Sequence, residues 1–174
     1  MSESSAICIV FVIMFLTFQS EAHDQGHGIV NVSGEIVEAP CSVDVVSRAQ
    51  TIEMPSQSVI SVIKNNSLER EFSIRLVNCT LNSTKQNDEW SSFQVTFDGD
   101  RDNNDFGVGG KAHGVALQIR DEEGNVAIPG QPLPKVTMEP GEMQLKYKLR
   151  LVGNGGTPSA GLYNSTIRYK LDYY

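Results

Sequence analysis

Residues that could carry catalysis or hold a metal are scarce in this sequence. Among 174 residues there are three histidines, three cysteines and one tryptophan, and no apolar run extends much beyond a dozen residues. Each shortage excludes something. The cysteines form no CxxC pair, so the spacing of a zinc ribbon or a dithiol redox centre is missing. His23 and His27 lie in a polar stretch near the start. His113 sits in a glycine-rich loop with no serine or cysteine motif around it, so no nucleophile and base can be paired. No enzymatic role and no cofactor are therefore expected. Lys and Arg number 14 against 21 Asp and Glu, for a net charge of −7, and no basic cluster is present. That balance gives no reason to expect nucleic acid or an anionic membrane as a partner. Helical periodicity over ten or more residues is also missing, and so is any internal repeat.

The one long apolar run is Ile7–Phe18, ICIVFVIMFLTF, followed by the small residues Ser20 and Ala22. It falls short of the ~20 residues that span a bilayer, and it ends in the small-x-small pattern of a secretory signal. Met1–Ala22 is expected to be a cleaved signal peptide, although its first residues include Glu3 and no Lys or Arg. A membrane-anchoring helix is the alternative. Cleavage would remove Cys8, Glu3 and Glu21, leaving a net charge of −5 and two cysteines, Cys41 and Cys79. In an oxidising compartment these are expected to form one disulfide, which would stabilise the fold by roughly 3–5 kcal/mol in the chain-entropy picture. A metal pair or a reactive thiol is the competing reading.

What the sequence does have is alternation. Val30, Val32, Gly34 and Ile36 share one face of a stretch, Ile29–Val37, that has the period of a strand and lacks a side chain at its third inward position. Further strands are expected at Val43–Val46, Thr51–Met54, Phe72–Leu76, Phe93–Phe97, Val115–Ile119 and Leu145–Leu151. Ser56–Leu68 is mixed and has no evident place. DEEGN at 121–125 is expected to turn a hairpin back through Val126 and Ile128. FDGDRDNND, with Asp98, Asp100, Asp102 and Asp105, begins like a calcium loop. Asn103 stands where glycine is needed and Gly109 where a bidentate Glu belongs, so a solvated hairpin is favoured. Five N-x-S/T sequons start at Asn31, Asn65, Asn78, Asn82 and Asn164. Two of these lie in expected strands and one abuts Cys79, so they are taken as chance matches.

The final block, Gly161–Tyr174, alternates most strongly. Tyr163, Ile167, Tyr169, Leu171 and Tyr173 fall on one face, and Asn164, Thr166, Arg168, Lys170 and Asp172 on the other. Short strands separated by Pro/Gly turns imply an all-β sandwich of immunoglobulin type. A sandwich ending on this strand is expected to leave an edge and an apolar face in need of a partner.

These features together resemble the pilin subunits of chaperone–usher fimbriae, the group that includes type 1 and P pili. The resemblance rests on the leader, the extension VNVSGEIVEAPC, the second cysteine after FSIRLVNC, the segment GVALQIRDEEGNVAI, and GLYNSTIRYKLDYY. In that last block Gly161 lies fourteen residues from the end and Tyr173 is penultimate. It implies an incomplete immunoglobulin-like sandwich lacking its last strand. The domains would be a signal peptide (1–22), a donor-strand extension (23–38) and a pilin domain (39–174). It further implies that Val30, Val32, Gly34 and Ile36 form the donor strand, with Gly34 where a side chain would not fit. Gly161, Tyr163, Ile167, Tyr169, Leu171, Tyr173 and Tyr174 would form the acceptor groove and chaperone-recognition strand. A periplasmic chaperone, an outer-membrane usher and neighbouring pilin subunits are the implied partners, and the cell-surface fimbrium, reached through the periplasm, is the implied location. A single domain with an intact extension argues against a tip adhesin. The alternative is a complete secreted sandwich module that binds a carbohydrate or protein ligand through its loops.

Overall fold

The computed structural model describes residues 29–34, 39–82 and 89–174. Residues 29–34 belong to one unit of the chain, and Val37–Tyr174 to a second that holds all the regular structure described. In the second unit the strands are β1 (Ser42–Val43), β2 (Glu69–Cys79), β3 (Ser92–Asp98), β4 (Arg101–Asp102), β5 (Asp105–Phe106) and β6 (Gly109–Gly110). They continue as β7 (Val115–Asp121), β8 (Val136–Thr137), β9 (Gly141–Gly153), β10 (Tyr163–Asn164) and β11 (Arg168–Tyr173). Two single-turn helices, α1 (Val45–Arg48) and α2 (Val59–Ile63), lie between β1 and β2.

All pairings are antiparallel. One sheet has the order β1-β2-β9-β7-β5-β4, a second has the order β11-β3-β8, and β10 pairs with β6 in a two-stranded ribbon. The four longest strands, β2, β3, β7 and β9, are all among those that the alternation marks. Their inward residues Ile74, Leu76, Phe93, Val95, Phe97, Leu117, Ile119, Leu149 and Leu151 are buried. An aromatic cluster ties the two main sheets together. Tyr147 of β9 stacks on Phe72 of β2 at 5.3 Å between centroids and meets Phe97 of β3 edge-on at 4.9 Å. Burial pushes the Tyr147 phenol well above its usual range. The all-β immunoglobulin-like sandwich expected from the sequence is the fold observed.

Cys41 and Cys79 are disulfide-bonded, and both are buried. The bond pins the segment before β1 to the end of β2, beside the Thr80 N–H that donates to the Pro40 carbonyl at 2.9 Å.

Several local expectations are corrected. Val43–Val46 is not a strand. β1 stops at Val43 because the Asp44 carboxylate accepts from the Val46 N–H at 2.9 Å and caps α1, and this local bond outweighs the β preference of the two valines. Thr51–Met54 joins no ladder and is held by side-chain bonds instead, from Arg70 Nε to the Glu53 carbonyl and from Gln50 Nε2 to the Ser73 carbonyl. Ser56–Leu68 contains α2, capped by Ser58. After the DEEGN turn the chain returns through a single bridge, Arg120 to Val126, rather than a second strand. Of Ile29–Val37, residues 29–34 have no regular structure and 35–37 lie outside the described residues. The signal-peptide stretch, His23 and His27 also lie outside them.

Gly161–Tyr174 is not one continuous strand. Tyr163–Asn164 pairs with β6, residues 165–167 leave the ladder, and only Arg168–Tyr173 joins β3. The break begins at a close crossing of two backbones. The Leu162 carbonyl accepts from the N–H groups of both Lys111 and Ala112. A Cβ on Gly161 would sit 2.6 Å from the Ala112 nitrogen and 2.6 Å from the Lys111 carbonyl carbon, and one on Gly110, whose φ is +116°, would collide with the Leu162 oxygen. The crossing therefore needs glycine on both strands.

Gly161→Ala is expected to destabilise the domain by ~1–3 kcal/mol, lowering the thermal midpoint by about 2–10 °C, whereas Gly153→Ala, at open space, should shift it little. Replacing both Cys41 and Cys79 by serine should cost about 2–5 kcal/mol, read as a lower denaturant midpoint.

Candidate strand-acceptor groove

Among the described residues, β11 has a strand neighbour on one side only. In register, Tyr169 lies opposite Phe97, Leu171 opposite Val95 and Tyr173 opposite Phe93 of β3. No strand among the described residues pairs with its other edge. Facing that edge is the segment from Gln50 to Ser58, which joins no ladder either.

Between them run two adjoining clefts of about 950 and 800 Å³, which share Gln50, Thr51, Ile52, Leu149, Thr166 and Ile167. They form one continuous groove. Its floor is the inner face of the larger sheet, including Leu117, Leu151 and Ile119, with Phe97 from β3. One wall carries Ile52 and Met54. The other carries Tyr163, Ile167, Tyr169 and Leu171, and every one of these wall residues is only half-buried. Apolar side chains that alternate correctly yet stop at half-burial mark a core layer that the domain itself does not cover.

Polar side chains also line the groove, among them Arg48, Gln50, Glu53, Gln57, Asn164 and Thr166. The Tyr169 hydroxyl donates to the Ser47 carbonyl at 2.9 Å, and the Ser47 hydroxyl in turn accepts from the Arg75 N–H at 2.9 Å, which links β11 through α1 to β2. Burial pushes the phenols of Tyr163, Tyr169 and Tyr173 above their ordinary value. At Tyr169 the positive charge of Arg48 opposes that shift. None of these tyrosines ionises near neutral pH, so none of them adds charge to the groove.

Five of the seven acceptor residues named from the sequence, Gly161, Tyr163, Ile167, Tyr169 and Leu171, line the groove. The other two do not. Tyr173 packs on Trp90 and Phe93, with centroids 6.2 and 6.0 Å away. The Tyr174 N–H donates to the Ser92 carbonyl at 2.8 Å, and the Tyr174 backbone oxygen accepts from the Ser91 N–H at 2.9 Å. The Lys135 ammonium lies 4.0 Å over its ring. Ile52 and Met54 fell within the strand expected at Thr51–Met54, and nothing in the sequence marked them as a groove wall. Nothing in the sequence marked Ser47.

Val30 and Val32, named for the donor strand, are 87% and 91% exposed, while Ile36 lies outside the described residues. The aspartate-rich stretch forms the β4–β5 hairpin, with Asn103 in the left-handed region at φ 56°. Two of its carboxylates are engaged within the domain: Asp102 accepts from Asn154 Nδ2 at 2.6 Å and Asp105 from Gln118 Nε2 at 2.9 Å. His113 sits in a bridge to Ser159. Among the described residues no group of three or more His, Cys, Asp or Glu is placed to hold a metal.

Comparison with known proteins gives this groove its context. The family model described as "Fimbrial protein" matches residues 30–174. The PRS fimbrial minor pilin protein of Escherichia coli is 34% identical over 161 residues, covering 90% of this chain and 82% of the relative. The Fimbria A protein of Serratia marcescens is 32% identical over 161 residues, covering 88% of each. The solved structure of the P pilus rod subunit PapA superposes with a TM-score of 0.69 at 19% identity, covering 78% of this chain and all of that one, so the fold is shared. On the extent of the family match and the identity of these relatives, the chain belongs to the fimbrial protein family.

Proposed function

We propose that this chain is a structural subunit of an adhesive fimbria of the chaperone–usher type, and that the groove beside β11 is where a neighbouring subunit's strand docks. The observation that carries the reading is the unpaired edge of β11 above an apolar floor, within a family of fimbrial proteins. The process is β-strand addition: main-chain bonds to β11 give the pairing, and alternate side chains fill the groove. On the donor side we assign Val30, Val32, Gly34 and Ile36 of residues 23–38, following a signal peptide at 1–22. On the acceptor side we assign Gly161, Tyr163, Ile167, Tyr169 and Leu171 of the pilin domain, 39–174. Tyr173 and Tyr174, bonded into their own domain, act as the anchor of β11 rather than as groove lining. A periplasmic chaperone would occupy the groove before an outer-membrane usher hands it to the next subunit, and export through the periplasm would deliver the chain to the surface.

Magnitudes agree. Burying Val30, Val32 and Ile36 at ~1.5–3 kcal/mol each gives roughly 5–9 kcal/mol, comparable to the ~5–15 kcal/mol that stabilises a whole domain. A complete sandwich that binds ligands through its loops is not favoured, because such a domain would pair this edge itself.

A chain extended beyond Tyr174 by a flexible linker and a copy of residues 28–37 is expected to melt more than about 10 °C above the unextended chain; equal midpoints would sink the proposal. Removing His23–Val37 from the unextended chain should leave its midpoint unchanged. A clear fall would place the extension inside its own sandwich.

A further inference from the structure

Of the chain's asparagines, Asn154 alone is followed by glycine, at the start of the loop that leads from β9 to the Gly161 crossing. Glycine puts no side chain over its backbone nitrogen, so that nitrogen has access to the amide carbon of the asparagine before it. Gly155 stands at φ +91°, in the left-handed region, and a Cβ built on it would meet nothing within 4 Å. The turn requires glycine where the attacking nitrogen also needs it. Among the described residues no group accepts a hydrogen bond from the Gly155 N–H.

The Asn154 side chain is held at both ends. Its Nδ2 donates to the Asp102 carboxylate at 2.6 Å, and its Oδ1 accepts from the Gly156 N–H at 3.0 Å. The backbone is held as well, since Asn103 Nδ2 donates to the Asn154 carbonyl at 3.1 Å. The two side-chain partners act in opposite senses. When the Gly155 nitrogen adds to Cγ, negative charge develops on Oδ1, where the Gly156 N–H already donates. Asp102 resists the same step, because it binds the amide nitrogen that must leave and sets a negative charge near the developing one.

We propose that Asn154 is a modification site, at which the chain deamidates itself through Gly155 under the restraint of Asp102. The Gly155 nitrogen forms a bond to Cγ and gives its proton to solvent. The bond from Cγ to Nδ2 breaks, ammonia leaves with a proton taken from solvent, and a succinimide closes. Water then adds to one of the two imide carbonyls and opens the ring, giving aspartate or isoaspartate. One water is consumed and one ammonia released, and nothing is oxidised or reduced.

Aspartate at this position sets a second carboxylate against Asp102, where an N–H donor had been. Isoaspartate in addition reroutes the backbone through the side-chain carbon. Either product opens the clasp between this loop and the β4–β5 hairpin. The loop continues over Gly114, where a Cβ would sit 2.5 Å from the Thr157 carbonyl, and Pro158, Ser159 and Ala160 then line the end of the larger cleft. Because the step does not reverse, the modified fraction grows with the age of the folded chain. The chemistry is independent of whether a strand docks in the groove.

The test ages the full chain in mildly alkaline buffer and follows every asparagine by peptide mass and by isoaspartyl methyltransferase labelling. Position 154 should convert faster than any other asparagine, and Asp102→Ala should speed it roughly tenfold, the worth of one charge-assisted hydrogen bond. Conversion at 154 no faster than elsewhere, or unchanged by Asp102→Ala, overturns the proposal. Should Asp102→Ala fail to fold, Asp102→Asn, which keeps an acceptor without the charge, decides in the same way. The consequence is read separately. Asn154→Asp should lower the thermal midpoint by roughly 3–8 °C, and adding Asp102→Asn, which returns a donor to the pair, should recover most of the loss. An unchanged midpoint in Asn154→Asp, or no recovery in the double variant, contradicts the opening of the clasp.

Discussion

The outer edge of β11 is the constraint on which the rest of this domain turns. An exposed strand edge presents a row of N–H and C=O groups that attract any available strand, and proteins ordinarily blunt such edges. The other edges here are blunted. The six-stranded sheet ends in β1 and β4, each only two residues long. Beside β1, α1 turns the chain away, and the Ser47 hydroxyl takes the Arg75 N–H that a longer β1 would have paired. The far edge of β3 is covered by β8 and by the loop before it, with the Gly130 N–H on the Phe97 carbonyl and the Leu133 N–H on the Val95 carbonyl. β11 has six residues, sits over apolar side chains, and among the described residues has none of these protections on its groove side. That contrast within one molecule is what the proposed docking role requires of this edge.

The remaining features hold this edge in position without covering it. Tyr173 on Trp90 and Phe93, together with Tyr174 bonded to Ser91 and Ser92, fix one end of the strand. At the other end, the glycine crossing of Gly161 over Lys111 and Ala112 sets where the chain leaves the β6 ribbon and enters the three-stranded sheet. The disulfide between Cys41 and Cys79 secures the start of the chain that runs on to the opposite wall. These contacts tie both walls of the groove into the domain's own fold.

How legible this was depended on whether the information was periodic or local. Phe93, Val95 and Phe97, or Leu145 through Leu151, announce a strand because burial on one face enforces period two, and such strands form wherever tertiary packing agrees. The same pattern put Tyr163, Ile167, Tyr169 and Leu171 on one face, and they share one wall of the groove. It did not show that the block breaks between Asn164 and Arg168, since that break comes from a backbone crossing with residues some fifty positions earlier. Val45 and Val46 misled in the opposite sense: β-branched residues suggested a strand, and one carboxylate bond from Asp44 made a helical turn instead. Ile52 and Met54 have strand spacing but join no ladder, because the place beside them is the groove itself. The role of Ser47 was invisible, being a backbone carbonyl met by a tyrosine 122 residues away.

The central claim is that the groove side of β11 lacks a hydrogen-bonded partner in the single chain and acquires one when a donor strand docks. Amide hydrogen exchange on β11 tests it directly, since alternate N–H groups of an antiparallel strand point to opposite neighbours. The N–H groups facing β3 should be protected in the chain alone and remain so. Those facing the groove should exchange readily in the chain alone and slow by roughly a hundredfold once a donor strand carrying residues 28–37 is supplied. Groove-side amides already protected in the isolated chain, or unaffected by the donor strand, would contradict the account.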